Sequence, residues 1–299
     1  MQAPSVRQLR TFLAVVELGT VSAAAQALNM TQPAASQQLR ELERLLGVRL
    51  LDRAGGRMIP TAAGEALIEP AVRAQAAIAD AIAAAGAHRD GRIGRVRLGT
   101  GATACIYLLP PVLAAAKRRM PGLEILIATG NSSQIADRVA SGELDVGVVT
   151  LPVPEKSALQ TTRLRDDPLL ALLPSEAAPA RASIGAAALA GLPLILYDPG
   201  GSTRTLIDEW FRAAGLHPKP IMQLDSIEAI KVLVGSGLGA SVMPRLALAN
   251  PVPGAVTKTL RPALTRQLGI VLRREKVLDR ALRVVLEQLR GLAGADAKR

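Results

Sequence analysis

Aromatic side chains are scarce in this 299-residue chain: Phe12, Tyr107, Tyr197, Trp210 and Phe211 are all it has. Proteins that grip single-stranded nucleic acid stack its bases on aromatic rings, so this composition argues against that partner. Cys105 is the only cysteine, which excludes an intramolecular disulfide and fits a reducing compartment. His88 and His217 are far apart and have no neighbouring thiol, so neither a metal site nor a resident cofactor is expected. No apolar run reaches bilayer-spanning length and the amino end shows no basic-then-apolar leader. The expectation is therefore a cytoplasmic protein with no membrane partner. Acidic residues are also in short supply, 25 against 36 Lys and Arg, for a formal net charge of +11. That surplus favours a polyanion without specifying one.

The length suits about two domains, each with an ample core. The most telling stretch is Val21 to Leu46, VSAAAQALNMTQPAASQQLRELERLL. It predicts two short helices with a break at Asn29-Met30-Thr31. Ser22 is a candidate cap for the first, and AAAQAL is a strong helix former. Asn29 tolerates the left-handed backbone of a helix end. Thr31 caps the second helix, and Pro33 falls in its first turn, where a missing N–H costs nothing. Ala35, Leu39, Leu42 and Leu46 recur at helical spacing as a buried stripe. Gln32, Ser36, Gln37 and Arg40 lie off it. Gln can pair with adenine, Ser with several bases, and Arg with guanine or phosphate. This is the layout of a helix-turn-helix, whose second helix presents its first residues to the major groove of duplex DNA.

The flanks strengthen that reading. Val6, Leu9, Phe12, Leu13 and Val16 mark a helix before the pair. Two short apolar runs around Gly55-Gly56 predict a β-hairpin, a wing, with Arg53 and Arg57 available to phosphate or the minor groove. Residues 1–60 thus form a predicted winged helix-turn-helix domain. Over residues 1–65 the basic excess is only two, so the placement of charge rather than its amount must create a positive face. Residues 61–90 predict one long Ala-rich helix capped by Thr61 and bent at Pro70. Leu67, Ala71, Ala74, Ile78 and Ala81 recur at steps of four and three, the spacing of a paired-helix seam. A linker and homodimerisation helix would set two DNA-reading heads on one symmetric site.

Polar residues and glycine at His88-Arg89-Asp90-Gly91-Arg92 place a domain boundary there. From 91 to 299 the pattern becomes α/β. The strand candidates are Val96–Leu98, Ile125–Ala128, Val146–Val149, Leu169–Leu173, Leu194–Tyr197, Ile221–Leu224, Ala240–Met243 and Leu268–Leu272, alternating with helices. Ser226 caps a predicted helix that ends at Gly235-Ser236-Gly237. Leu278, Leu282, Val285, Leu286 and Leu289 mark a C-terminal helix, beyond which 293–299 should fray.

Residues 5–85 resemble the N-terminal domain of LysR-type transcriptional regulators, through LRTFLAVVELGTVSAAAQALNMTQPAASQQLRELERLLGVRLLDR and the following PTAAGEAL. The resemblance implies that Gln32, Pro33 and Ser36 approach base edges and that Arg53 meets DNA on the wing side. Gln37 departs from the Arg that many relatives carry. Residues 92–299 are similar to the two-lobed domain of the same regulators, itself similar to periplasmic solute-binding proteins. The matching pieces are Tyr107-Leu108-Leu109-Pro110, Ser141 to Gly147 and Gly235 to Pro244. The resemblance implies lobe I from 92–162 with 266–299 and lobe II from 163–265, the chain crossing near Pro152 and near Thr265. It also implies a homotetramer as the final assembly and RNA polymerase as a further partner.

A small-molecule effector is expected at the C-terminal ends of the strands, where free N–H groups of helix N-termini collect. Three turns qualify: Thr100-Gly101-Ala102-Thr103, Thr129-Gly130-Asn131-Ser132, and the turn that ends in Ser202-Thr203-Arg204. Arg204 is a candidate partner for an anionic effector. The alternative function is a solute-binding component of a transport system, which the C-terminal half alone would permit. An enzyme is not expected. No nucleophile elbow, phosphate loop or dinucleotide fingerprint is present, and Gly235 to Gly239 follows a helix and precedes a strand, the wrong order for cradling phosphate.

Overall fold

The computed structural model describes residues 3–89 and 94–292. Residues 90–93, which include the last three of the expected boundary, and the tail 293–299 lie outside them. The chain divides into two units close to Gly86.

The first unit opens with α1 (Val6–Leu18), α2 (Val21–Ala27) and α3 (Gln32–Leu46). The Ser5 side chain accepts from the Gln8 N–H while Gln8 reaches back to the Ser5 N–H, a reciprocal cap that starts α1. The cap of α2 is Thr20, not Ser22: the Thr20 hydroxyl accepts from the Ala23 N–H at 3.1 Å, and Ser22 lies inside the helix. Thr31 caps α3 through the Ala34 N–H, and Pro33 sits in its first turn. Asn29 turns the chain with φ of 53°. Phe12, Val15, Ala24, Leu39 and Leu42 close a core to which Leu50 and Leu51 also contribute. Each of the larger of these side chains contributes about 1.5–3 kcal/mol by leaving water. Leu46, expected in the buried stripe, is exposed at the end of α3, as is Val6 at the start of α1.

Strands β1 (Leu51–Ala54) and β2 (Arg57–Pro60) form the wing, with Ala54 opposite Arg57. Gly55 and Gly56 both have positive φ, which the two-residue turn requires. Helix α4 (Ala62–Arg89) starts on the Thr61 cap and runs through Pro70. Leu67 packs on the winged core, whereas Ile78 and Ile82 are exposed in the single chain.

The second unit contains β3 (Arg95–Thr100), α5 (Ala102–Tyr107), α6 (Leu109–Arg119), β4 (Glu124–Thr129), α7 (Ser132–Ala140) and β5 (Val146–Leu151). There follow β6 (Leu159–Pro174), β7 (Ser183–Gly185), α8 (Ala186–Ala190), β8 (Ile195–Tyr197), α9 (Ser202–Ala213) and β9 (Met222–Leu224). The order ends with α10 (Ile227–Gly235), β10 (Ser241–Pro244), β11 (Ala255–Arg273) and α11 (Arg280–Gly291). One sheet runs β10-β6-β11-β5-β3-β4, with β7 also on β11. Strand β3 is parallel to β4 and β5; β11 is antiparallel to β5 and β6.

All eight expected strands are present, but two are far longer than their apolar cores. Strand β6 has 16 residues and β11 has 19, because each passes from one lobe into the other. Their register runs from Arg273 opposite Leu159 to Ala255 opposite Pro174. The first half of β6 therefore belongs to lobe I. By that register the chain passes outward around Asp166 to Leu169 and returns around Thr265. Lobe I packs α6 and α11 over β3, β5 and β11 through Leu109, Val112, Val146, Val148, Leu282 and Val285. Lobe II has two adjoining clusters, one around Leu173, Ile207, Trp210 and Phe211, the other around Ile227, Ile230, Val234 and Met243.

Candidate nucleic-acid interface and effector cleft

Along α3 the division between buried and open faces is sharp. Ala35, Leu39 and Leu42 are buried, whereas Thr31, Gln32, Pro33, Gln37 and Arg40 are exposed and Ser36 is half-buried. The helix is fixed from beneath by side chains as well as by its core. The Thr11 hydroxyl, fully buried, donates to Gln38. At the other end Glu43 accepts from the Leu50 and Leu51 N–H groups and ties α3 to the wing. The expected base-reading positions thus project from a rigid support, the condition for reading hydrogen-bond patterns in a groove.

On the wing, Arg53 and Arg57 are both exposed. Arg57 differs from Arg53 in having its guanidinium against Gly19, where even a methyl group would lie only 2.6 Å from a guanidinium nitrogen. Gly19 ends α1 in the left-handed conformation, and a cation there complements the carbonyl end of the helix. Arg57 therefore positions the wing, helped by the Met58 N–H donating to the Gly19 carbonyl at 2.8 Å.

In the second unit, the first two expected effector turns meet. The Gly130 N–H donates to the Thr100 carbonyl at 3.1 Å, at the C-terminal ends of adjacent parallel strands. Their members differ in availability. Gly101 is half-buried and Ala102 exposed, but Thr100 and Thr103 are buried. The Thr100 hydroxyl donates to the Val148 carbonyl at 3.0 Å, so it holds the sheet rather than facing a ligand. Asn131 caps α7 by accepting from the Gln134 N–H at 2.9 Å, and the Ser132 hydroxyl accepts from the Thr150 N–H at 3.1 Å. Thr129 remains exposed. It lines, with Gly130, Gln134, Ile135, Asp137 and Arg138, a cavity of about 410 Å³ confined to lobe I.

The third turn lies on lobe II at the start of α9. Gly201 caps that helix without a side-chain hydrogen bond, and Ser202 and Thr203 are half-buried. Arg204 corrects the expectation of an anion receptor. It is buried, and its guanidinium donates to Asp208 at 2.9 and 3.0 Å, to Gln223 at 3.0 Å and to the Tyr197 carbonyl. Those bonds satisfy its charge and lock α9 to β8 and β9.

Beside this turn is a cluster that the chain's local patterns did not reveal. Arg266 and Asp167 stand directly opposite each other on β11 and β6. They form a buried ion pair at 2.7 Å, with side chains 5% and 1% exposed. Arg266 also donates to the Thr203 hydroxyl at 3.0 Å, and Asp167 accepts from the Leu246 N–H at 3.1 Å. The Tyr197 hydroxyl is buried and has no hydrogen-bond partner among the described residues. Burial pushes its pKa upward; Arg266 opposes that shift and Asp167 adds to it. It therefore stays a neutral donor at physiological pH.

A second unanticipated group bridges the lobes. Tyr107, at the end of α5 in lobe I, packs against the α10 cluster of lobe II. Its hydroxyl donates to Glu228 and accepts from Lys231 Nζ at 2.9 Å. The Lys231 ammonium lies 5.1 Å from the ring centre, a cation–π distance.

Comparison with known proteins agrees with both halves of this architecture. Residues 6–65 match the bacterial regulatory helix-turn-helix protein model of the lysR family, and residues 89–294 match the LysR substrate binding domain. The chain belongs to the LysR family of transcriptional regulators. It is 31% identical to the HTH-type transcriptional regulator CbbR of Xanthobacter flavus over 281 residues, covering 92% of this chain and 84% of that protein. It is 32% identical to a probable hydrogen peroxide-inducible genes activator of Mycobacterium leprae over 279 residues, covering 90% and 88%. Among solved structures, a full-length cysteine-to-aspartate variant of OxyR from Pseudomonas aeruginosa has the same fold. Its TM-score is 0.65 at 24% identity, over 97% of this chain and 96% of that one. CbnR, a LysR family transcriptional regulator, gives 0.60 at 23% identity over 97% and 99%.

As a LysR-family regulator the protein carries a DNA-binding N-terminal domain and an effector-binding C-terminal domain, and the relatives compared here are transcriptional regulators. Solute transport is not favoured, because the match to regulators extends over the helix-turn-helix as well as the two-lobed domain. Among the described residues no helix is long and apolar enough to cross a membrane.

Proposed function

We propose that this LysR-family regulator reads an operator through the first turns of α3, from two protomers at once, under the control of a small effector held between its lobes. The observation that carries the DNA reading is the exposed row Thr31, Gln32, Pro33, Gln37 and Arg40, with Ser36 beside it, on a helix whose opposite face is buried. Arg53 on the wing adds a phosphate or minor-groove contact, and Arg57 supports it from the end of α1. Pairing through α4 is supported by Ile78 and Ile82, which stay exposed in the single chain. A helix of one protomer reads few bases, and two on a dyad multiply the discrimination.

For the effector, support comes from polar capacity left over near the start of α9. Among the described residues the Tyr197 hydroxyl lacks a partner and the α9 N-terminus has no side-chain cap, while the Thr203 hydroxyl accepts from Arg266. A small ligand with an acceptor group, a carboxylate among them, would use these donors and bridge to Gly101, Ala102 and Thr129 of lobe I. Its action follows from linkage: it shifts the lobe arrangement only by its affinity difference between arrangements. A tetramer, contact with RNA polymerase and location with the DNA in the cytoplasm complete the reading.

The test is a double substitution, Gln32→Ala with Ser36→Ala, in the full-length protein. Binding to operator and to random duplex is measured across a salt series. The reading predicts that operator affinity falls toward the random-duplex value while the salt slope is preserved, because phosphate contacts remain. Unchanged discrimination would reject α3 as the base-reading helix.

A further inference from the structure

We infer that Gln37 gives this regulator a preference for adenine at one position of each half-site, because Glu41, itself held by Gln8, fixes which way its carboxamide faces. The inference rests on the reading of α3 as the helix that meets base edges, and deepens it by naming one base.

The Ser5 backbone N–H can only donate, and it donates to Gln8 Oε1 at 2.8 Å. The Gln8 carboxamide, 8% exposed, therefore turns its nitrogen toward α3, where Nε2 donates to Glu41 Oε2 at 3.3 Å. An ionised carboxylate can only accept. The other Glu41 oxygen, Oε1, accepts from Gln37 Nε2 at 2.9 Å. The carboxylate thus selects one orientation for an exposed side chain on α3, and Gln8 helps to hold that carboxylate in place. A carboxamide is free to present either end; this one is not.

With one N–H engaged by Glu41, Gln37 has its carbonyl oxygen and its second N–H left to offer. That is an acceptor beside a donor. Adenine presents the complement in the major groove, the N6 donor beside the N7 acceptor. Cytosine presents one donor and can take one bond. Guanine presents two acceptors, O6 and N7, so the carbonyl oxygen would face another oxygen. Thymine offers an acceptor and a methyl group. The predicted ranking is adenine, then cytosine, with guanine and thymine disfavoured.

The experiment is repeated selection from randomised duplex DNA by the full-length protein, followed by sequencing of the retained pool. The wild type is expected to show one adenine-dominated column per half-site. Gln37→Arg should move that same column to guanine, since two donors suit two acceptors. Glu41→Gln keeps the size and helix propensity but can donate as well as accept, so it releases the fixed orientation. That variant should lose roughly tenfold of its preference for adenine over guanine at this column, with the other columns unchanged. A pair that only stabilised the helix would leave base preferences where they were. The inference is overturned if no column changes in Gln37→Arg, or if Glu41→Gln keeps the adenine column at full strength. A wild-type pool without any enriched motif would overturn the reading of α3 itself, and this inference with it.

Discussion

Lys231 on lobe II holds Tyr107 of lobe I twice over, its ammonium 2.9 Å from the phenol oxygen and 5.1 Å from the ring centre. Glu228, one turn earlier on α10, accepts from the same phenol and pairs with Lys231 at 3.2 Å. Under the proposed effector control, lobe arrangement is the quantity to be shifted, and a clasp between lobes is then part of that balance. Tyr107→Phe removes both hydrogen bonds and keeps the ring. Both partners are charged but the contact is partly exposed; at about 1 kcal/mol or more for the two bonds together, hydrogen exchange in α5 and α10 should accelerate about fivefold or more. Tyr107→Ala, which also empties the apolar contact, should accelerate it further. Equal exchange in all three proteins would show that the clasp does not restrain the lobes.

The Asp167–Arg266 pair bridges the two long strands where they pass between lobes. Replacing Arg266 with Met strands a buried carboxylate, which costs about 3–5 kcal/mol. For a unit of this size the melting temperature should fall by about 10 °C. The double variant Asp167→Leu with Arg266→Met removes both charges and should recover much of the loss. A double variant no more stable than Arg266→Met would show that the pair's charges are not what matters.

Asp145 supplies a pH signature. Burial alone would raise its pKa, but the Arg97 side chain and backbone N–H and the Lys276 ammonium outweigh that and hold it below 3.8. The stabilisation is therefore fully present above the unfolded value of 3.8. It is lost as pH falls through the lower folded value. Urea unfolding of the wild type should weaken below about pH 4, and Asp145→Asn should be less stable at neutral pH with a flatter acid limb. Parallel acid limbs would contradict this assignment.

Gly64 sits where α4 passes the wing. A Cβ there would lie 2.1 Å from the Leu50 carbonyl oxygen and 3.2 Å from Pro60 Cβ. Helix propensity favours Ala over Gly by about 1 kcal/mol, yet backbone overlap should reverse the sign. Gly64→Ala is expected to destabilise the winged domain by about 1–3 kcal/mol, seen as an earlier first transition in thermal unfolding. A stabilised protein would show that the close approach relaxes without cost.

Local chemistry made much of this legible in advance. Thr31, Pro33 and Asn29 mark a helix junction because each restricts the backbone by itself, and Gly55-Gly56 marks the wing for the same reason. Thr20 and Ser22 are both competent caps two residues apart, and only the observed start of α2 separates them. Strand cores were visible as apolar runs, but the full lengths of β6 and β11 were not, since their crossing segments are polar. Arg266 and Asp167 are 99 positions apart and meet only through strand register. Arg204 was readable as a cation and not as one already paired. Tyr107 shows the same limit, its partners lying 121 and 124 residues away.

On the proposed reading, α3 helices from two protomers meet duplex DNA together. The most direct test is capture of genomic duplex fragments by the purified full-length protein, with sequencing of what is retained. The expected result is enrichment of an interrupted inverted repeat, its half-sites separated by whole turns of about 10 bp on one face of the helix. A retained pool with the composition of the input, or a motif without dyad symmetry, would contradict it.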